Sequence, residues 1–232
     1  MLLRLLAELL LTAGTLLLLL VVYQLWYTNV LAGRSAHQAT NALEQEWKRP
    51  ADPSRPSGTP AGKPDAFTPG QGFAIMHIPT LGVKAPVAEG TGKKNVLDRG
   101  MIGHYDGADG GPSSAMPWDA EGNFAVAAHR NSHGEPFRHI NRLRQGDLVV
   151  VETAHTYYTY EVTGSLPYTT PANSGVVAPV PKDSGFEEPG RYITLTTCTP
   201  EFSSSHRLIV WGQLLSEHAR SLGLPPALVS AR

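Results

Sequence analysis

The chain has 232 residues, of which 41% are hydrophobic and 17% are charged, and its formal net charge is −1. The length suits one domain with accessory segments, or two small domains, and the composition is ordinary for a protein with a sizeable core. The near-neutral charge provides no broad basic face, which argues against a nucleic-acid-binding protein.

The N-terminal residues carry the first strong pattern. Residues 9–31 contain no charged side chain and can cross a hydrocarbon core of about 30 Å as a helix. Tyr23, Trp26 and Tyr27 lie near the end of this run, where aromatic rings favour the lipid–water interface. Because the apolar region of a cleavable signal peptide is shorter, we predict a retained signal anchor and transmembrane helix over 1–33. The flanking charges do not decide its orientation.

The residues after the anchor predict a linker. The segment 34–48 is polar with some helical character, and 49–70 contains six prolines without apolar periodicity. Such a segment buries too little surface to offset its ordering entropy, so we predict a Pro-rich linker over 34–71 that holds a domain away from a membrane. The domain itself is assigned to 72–219 and a C-terminal tail to 220–232.

The remaining pattern is that of a β protein. Short apolar runs rich in Val, Ile, Tyr and Thr, bounded by turn residues, predict strands at 73–78, 123–129, 147–154, 156–163, 192–198 and 207–215. One short helix is predicted at 137–143, and 216–232 is predicted to be partly helical up to Pro225 and Pro226. Many strands and few helices predict an all-β barrel or sandwich.

Cys198, the only cysteine, marks a candidate site. It ends one predicted strand, and Arg207 opens the next one after a polar loop. If these strands pair as antiparallel neighbours, the thiol and the guanidinium share one rim of the sheet. His129 ends another predicted strand and can reach the same rim. A thiolate nucleophile, an imidazole that donates a proton and an arginine that binds an oxyanion together suit acyl transfer through a thioester.

Other interpretations of these residues stay open on this reasoning. A lone cysteine is more often a small buried hydrophobe, as in a non-catalytic, membrane-tethered binding module. A hydrolytic cysteine peptidase would use the same thiol and imidazole. A zinc hydrolase would use His129 and His133, with His139 near them. However, Arg130 replaces the glutamate of H-E-x-x-H, and a strand would hold His129 and His133 more than about 13 Å apart. No metal and no cofactor are predicted.

Three segments resemble the sortase family, which comprises membrane-anchored cysteine transpeptidases of Gram-positive bacteria. TLTTC followed by TP, with an arginine nine positions after the cysteine, resembles the sortase active-site segment. LDRGMIGHYDGA (97–108) and GNFAVAAHRNSHGEPFRHINRLRQGD (122–147) resemble the glycine-rich and histidine segments, and the resemblance covers 72–215. Tyr105 in the GHY form and the HR after the Ala pair are similar to class E, the actinobacterial housekeeping type.

The resemblance implies a fold and a reaction. The fold would be the eight-stranded sortase β-barrel with short helices, preceded by the transmembrane helix. Cys198 would cleave a Leu-Ala-x-Thr-Gly-like or Leu-Pro-x-Thr-Gly-like C-terminal sorting signal between Thr and Gly and hold the protein as a thioester. His129 would be the general acid/base, and Arg207 would position the substrate and stabilise the tetrahedral intermediate.

The resemblance also implies partners and a location. The partners would be secreted proteins with sorting signals, the lipid-linked peptidoglycan amine of a cell-wall precursor, and the membrane through the N-terminal helix. The catalytic domain would then be extracellular on a single-pass protein of the cell membrane. Ala128, where the family often has Gly, and Thr199, at a variable position, remove no catalytic group. Substrate binding is assigned to His104, Tyr105, Thr196 and Thr197.

Overall fold

A closed barrel forms the body of the protein. The computed structural model describes residues 1–49, 67–108 and 111–229. The strands within these ranges are β1 (Gly72–Ile78), β2 (Val83–Glu89), β3 (Ile102–His104), β4 (Gly122–Ala127), β5 (Leu148–Glu152), β6 (Thr156–Thr169), β7 (Arg191–Thr199) and β8 (His206–Ala219). Neighbouring strands follow the order β1-β2-β3-β4-β7-β8-β6-β5, and the two ends of the sheet join. The predicted all-β, eight-stranded barrel is confirmed.

Two strands, β2 and β3, were not predicted from the sequence, and each has a physical reason. β2 contains Lys84 and Pro86, and proline is uncommon inside a strand because it cannot donate to the ladder. β3 has only three residues, which is too short for a recognisable alternation. Both are specified by their neighbours, since β2 pairs with β1 and β3 pairs with β2 and β4.

The predicted helices in the domain differ from the observed ones. The segment 137–143 contains only a 3-10 turn over Ile140–Arg142. The tail continues as β8 up to Ala219, and the short helix α3 (Pro226–Val229) begins at Pro226 instead of ending at the prolines. Proline fits the first turn of a helix because the amide of that turn has no intrahelical acceptor.

The two faces of β7 and β8 have different environments. Side chains alternate between the faces of a strand. The core inside the barrel includes, from these two strands, Ile193, Leu195, Leu208 and Val210. Ile209 and Trp211 instead pack on the outer face, against Val176 and Val177 of the connection between β6 and β7. Cys198 therefore belongs to the outer face of the sheet.

A long helical segment precedes the barrel. Helix α1 (Leu2–Val22) continues through a π-helical stretch, Tyr23–Tyr27, into α2 (Thr28–Lys48). By length and composition α1 can cross a membrane, and it lies within the range 1–33 predicted for the anchor. Residues 34–48 of the predicted linker belong to α2, which packs on the barrel and buries Ala32, Thr40 and Leu43. The Pro-rich residues 50–66 lie outside the described residues.

Polar contacts connect α2 to two loops of the barrel. The Asn29 side chain donates to Glu135 Oε1 at 2.8 Å and accepts from the Gly134 amide at 3.0 Å. Arg99 Nε donates to Ser35 Oγ at 3.2 Å. These loops carry residues of the candidate site, so the position of α2 bears on the geometry of that site.

Candidate active site

Strand direction brings the candidate catalytic residues together. β4 and β7 run parallel with Ala127 paired to Thr196, so their carboxyl ends emerge at the same edge. β8 runs antiparallel to β7 and places Arg207 directly opposite Cys198. His129 follows the end of β4 by two residues. The topology therefore collects all three side chains at one end of the barrel.

The three side chains line one open cleft of about 690 Å³. Cys198 is a free, half-buried cysteine within it. The residues that line the cleft also include Tyr105, Thr196, Thr197 and Phe202. The thiol is thus accessible to a substrate while its strand remains part of the closed sheet.

His129 has a carboxylate partner that the sequence analysis missed. Its Nε2 lies 2.8 Å from Oδ1 of Asp98, which belongs to a 3-10 turn over Leu97–Arg99. Burial lowers the pKa of His129 below its usual value, and Asp98 partly opposes this shift. The imidazole is therefore mostly neutral at neutral pH, and the carboxylate orients the ring, which leaves Nδ1 for proton exchange. The only sequence signal was an acidic residue inside the glycine-rich segment.

The strand end and two carbonyl groups position Arg207. Its Nη1 donates to the carbonyl oxygens of Ser204 and His206 at 2.9 and 3.0 Å. A guanidinium has five N–H donors, so others are left for a ligand in the cleft. Arg207 can thus place a fixed positive charge beside an acyl group on Cys198.

Hydroxyl groups connect the nucleophile strand to the histidine strand. Thr196 Oγ1 donates to the Val126 carbonyl at 3.1 Å, and Thr197 Oγ1 donates to the Ala128 carbonyl at 2.8 Å. The Tyr105 hydroxyl lies 2.9 Å from Thr196 Oγ1. Burial raises the pKa of Tyr105, which keeps its phenol neutral. The three residues therefore both line the cleft and fix the spacing of its two main strands.

His104 does not reach the cleft. Its side chain is buried with 2% of its surface exposed. Nδ1 lies 3.1 Å from Oε2 of Glu89, Nε2 lies 2.8 Å from Oγ of Ser114, and the ring stacks on Phe124. The structure thus places His104 in the core and Tyr105 in the cleft, because consecutive side chains point in opposite directions.

Two further residues shape the end of β7. Arg130 is buried, and its Nη1 donates to Thr199 Oγ1 at 2.9 Å. Phe202 lies in the loop between β7 and β8 with 68% of its surface exposed beside the cleft. Arg130 supports the strand end that carries Cys198, and Phe202 offers an apolar surface to a ligand. Sequence reasoning gave neither a role, since both are ordinary residues in loops.

Comparisons with known proteins agree with this geometry. A family model for the sortase domain matches residues 76–215. Sortase SrtE1 of Streptomyces coelicolor is 53% identical over 227 residues, which are 98% of this chain and 61% of that protein. Sortase SrtE2 of the same organism is 37% identical over 90% of this chain and 81% of that protein.

A solved sortase structure is also similar to this chain. The crystal structure of sortase E1 from Streptomyces coelicolor with a tripeptide in the active site is 58% identical, with a TM-score of 0.67. The match covers 70% of this chain and 99% of that structure. This chain spans less than two thirds of the length of SrtE1, so the likeness concerns the shared segment.

Proposed function

The chain belongs to the sortase family, and we propose that it is a membrane-anchored cysteine transpeptidase that joins proteins with a sorting signal to a cell-wall precursor amine. One observation carries the proposal: Cys198 and Arg207 are directly opposed on adjacent strands, and His129 lines the same cleft. A nucleophile, a proton donor and a fixed cation are the groups that acyl transfer requires.

In the first half of the reaction, the neutral imidazole of His129 takes the proton of the Cys198 thiol, and the thiolate attacks the carbonyl carbon of Thr in the Thr–Gly bond. Arg207 donates hydrogen bonds to the substrate and to the oxyanion that develops. The C–N bond breaks, and protonated His129 gives its proton to the leaving glycine amine. The products are a Thr thioester on Cys198 and a released C-terminal peptide.

In the second half, the acceptor amine attacks the thioester carbonyl. His129 is now neutral and takes the proton that the amine loses as the new amide bond forms. The C–S bond breaks, and the thiolate of Cys198 is restored as the partner of an imidazolium. The acceptor is a lipid-linked amine in this proposal, which agrees with an apolar helix that can hold the enzyme at the same membrane.

The cleft continues into a space that suits the sorting signal. A smaller cavity of about 100 Å³ is lined by Tyr105, Thr196 and Arg207 on one side and by Thr170 and Val176 on the other. It lies on the outer face of β7 beside the proposed nucleophile. Its small volume favours a compact side chain in the signal, so we propose Leu-Ala-x-Thr-Gly as the preferred form over Leu-Pro-x-Thr-Gly.

The test uses the full chain in detergent micelles, a Leu-Ala-x-Thr-Gly peptide and a short glycine amine, with products identified by mass spectrometry. We expect a peptide–amine ligation product that disappears in Cys198→Ala. Loss of the proton donor in His129→Ala should slow ligation by at least about 10²-fold. Loss of the oxyanion donor in Arg207→Ala should slow it by about 10²- to 10³-fold.

Matched controls separate catalysis from folding. His139→Ala removes a histidine outside the cleft and should leave ligation unchanged. Cys198→Ser keeps the size of the side chain, so its circular dichroism should equal that of the unaltered chain while ligation is lost. A free Thr acid as the sole product would support a hydrolytic cysteine peptidase. An untouched peptide together with an unreactive thiol would support the binding module and refute the proposal.

A further inference from the structure

Three groups that can ligate a metal ion converge beside the cleft. One ligand atom each from Asp98, His129 and His133 lies within 4.8 Å of the other two. The imidazole centres of His129 and His133 are 5.3 Å apart. All three side chains are half-buried, so the cluster combines partial desolvation with access from solvent.

The backbone explains how His133 reaches His129. β4 ends at Ala127, and residues 132–135 all have positive φ angles, namely 60°, 54°, 83° and 51°. The chain therefore turns back sharply, and the separation of about 13 Å expected for a continuous strand does not apply. The Ser132 amide donates to Glu135 Oε1 at 2.8 Å, and Asn29 of α2 binds the same carboxylate. The loop is thus held in this shape before any ion binds.

Two imidazoles and one carboxylate form a ligand set that suits zinc. Zn²⁺ accepts nitrogen and oxygen ligands at about 2.0–2.2 Å and often leaves a fourth position to water. Neighbouring ligands of a tetrahedral site are then about 3.3 Å apart, so a small rotation of the His133 side chain would complete the site. Imidazole ligands disfavour Ca²⁺ and Mg²⁺, which prefer oxygen.

We propose that Asp98, His129 and His133 bind a Zn²⁺ ion that reversibly inhibits the enzyme, an inference that for its inhibitory part rests on the proposed function. A metal-bound imidazole must be neutral at the ligating nitrogen, so binding competes with the proton. A zinc ion bound to Nε2 of His129 also replaces the hydrogen bond between this nitrogen and Asp98. His129 then cannot become the imidazolium that protonates the leaving amine, and both halves of the reaction stop.

The site differs from zinc capture by the thiol. Cys198 does not belong to the group of converging ligand atoms, and His133 is not among the residues that line the cleft. The two modes of binding therefore depend on different side chains. Removal of His133 should abolish the proposed site without removing a catalytic group, whereas removal of Cys198 should leave the site intact.

The experiment uses the full, tag-free chain in detergent micelles after removal of metals, under a reductant that does not bind zinc. Zn²⁺ binding is measured by isothermal titration calorimetry without peptide, and Co²⁺ is used as a spectroscopic probe of the ligands. We expect one zinc ion per chain and a Co²⁺ spectrum without a sulfur charge-transfer band. His133→Gln should weaken binding by at least about tenfold, whereas Cys198→Ala and the control His139→Gln should not weaken it.

Ligation of the peptide is then measured against zinc concentration. His133→Gln should keep the activity measured without zinc and require at least about tenfold more zinc for inhibition. The proposal is overturned if the unaltered chain binds no zinc, or if Cys198→Ala loses binding while His133→Gln retains it. Zinc binding that depends on His133 in a chain without ligation activity would instead uphold the site and refute the proposed function.

Discussion

The contact between α2 and the turn that carries Asp98 leads to a sharp prediction for Gly100. Gly100 has a φ of 75°, and a Cβ atom added there would lie 2.9 Å from the carbonyl oxygen of Ala32. That oxygen is a backbone atom of a helix and cannot rotate away. An alanine at this position must therefore displace either the turn or the helix.

The structure offers a matched control and a magnitude. Gly82 has a φ of 64°, and its Cβ would meet no atom within 4 Å, so Gly82→Ala carries only the left-handed backbone cost of about 1–2 kcal/mol. Gly100→Ala adds the loss of docking, which removes the burial of Leu43, worth about 2 kcal/mol, and hydrogen bonds of about 1 kcal/mol each. The contacts of Asn29 and Arg99 comprise three such hydrogen bonds, so we expect a total of about 6–7 kcal/mol for Gly100→Ala when α2 undocks.

Thermal unfolding measures the loss of stability, and limited proteolysis measures the undocking of α2. One kcal/mol corresponds to about 2–4 °C for a domain of this size, so Gly100→Ala should lower Tm clearly more than Gly82→Ala. Trypsin should cut at Arg34 and Lys48 of α2 faster in Gly100→Ala only, because cleavage requires local unfolding of the helix. Equal losses of Tm and identical cleavage patterns for the two variants would refute the docking of α2 on this turn.

Three further changes have defined outcomes in urea unfolding of the full chain. Tyr105→Phe removes the hydrogen bond to Thr196 and should lower the unfolding free energy by about 1 kcal/mol; an unchanged value would contradict this contact. Glu89→Ala leaves Nδ1 of the buried His104 imidazole without its carboxylate partner and should cost about 1–3 kcal/mol, and a smaller loss than for Tyr105→Phe would argue against the buried pair. Lys84→Ala removes an exposed ion pair to α2 and should cost less than about 1 kcal/mol, so a loss above 2 kcal/mol would show that this pair matters more than its exposure allows.

Much of the fold could be read from local pattern. The apolar runs of β7 and β8 predicted two strands joined by a polar loop, which would bring Cys198 and Arg207 to one rim if the strands paired antiparallel, as they do. The uncharged N-terminal run predicted a helix long enough to span a membrane, as α1 is by length and composition. These features depend on side-chain periodicity and chain proximity, which a sequence displays directly.

Predictions from the local sequence pattern were wrong or incomplete where long-range contacts decide the structure. The helical segment 34–48 reads as a polar linker because its buried residues are few, and its stability comes from packing on the barrel. His104 and Tyr105 are adjacent in sequence, yet one is buried beside Glu89 and the other faces the cleft. A sequence does not state which side of a three-residue strand faces the core.

The amino-acid sequence by itself determined the β class and the long apolar N-terminal helix, and it placed a lone thiol and an arginine at facing ends of two predicted strands. Only the tertiary structure decided that β4 lies parallel to β7, which brings His129 to the thiol, and that a turned loop brings His133 and Asp98 to the same imidazole. The physical reason is that parallel pairing and loop reversal depend on contacts between distant segments. The favourable free energy of these contacts comes from packing of the whole barrel. It is not reflected in any periodic pattern of the sequence.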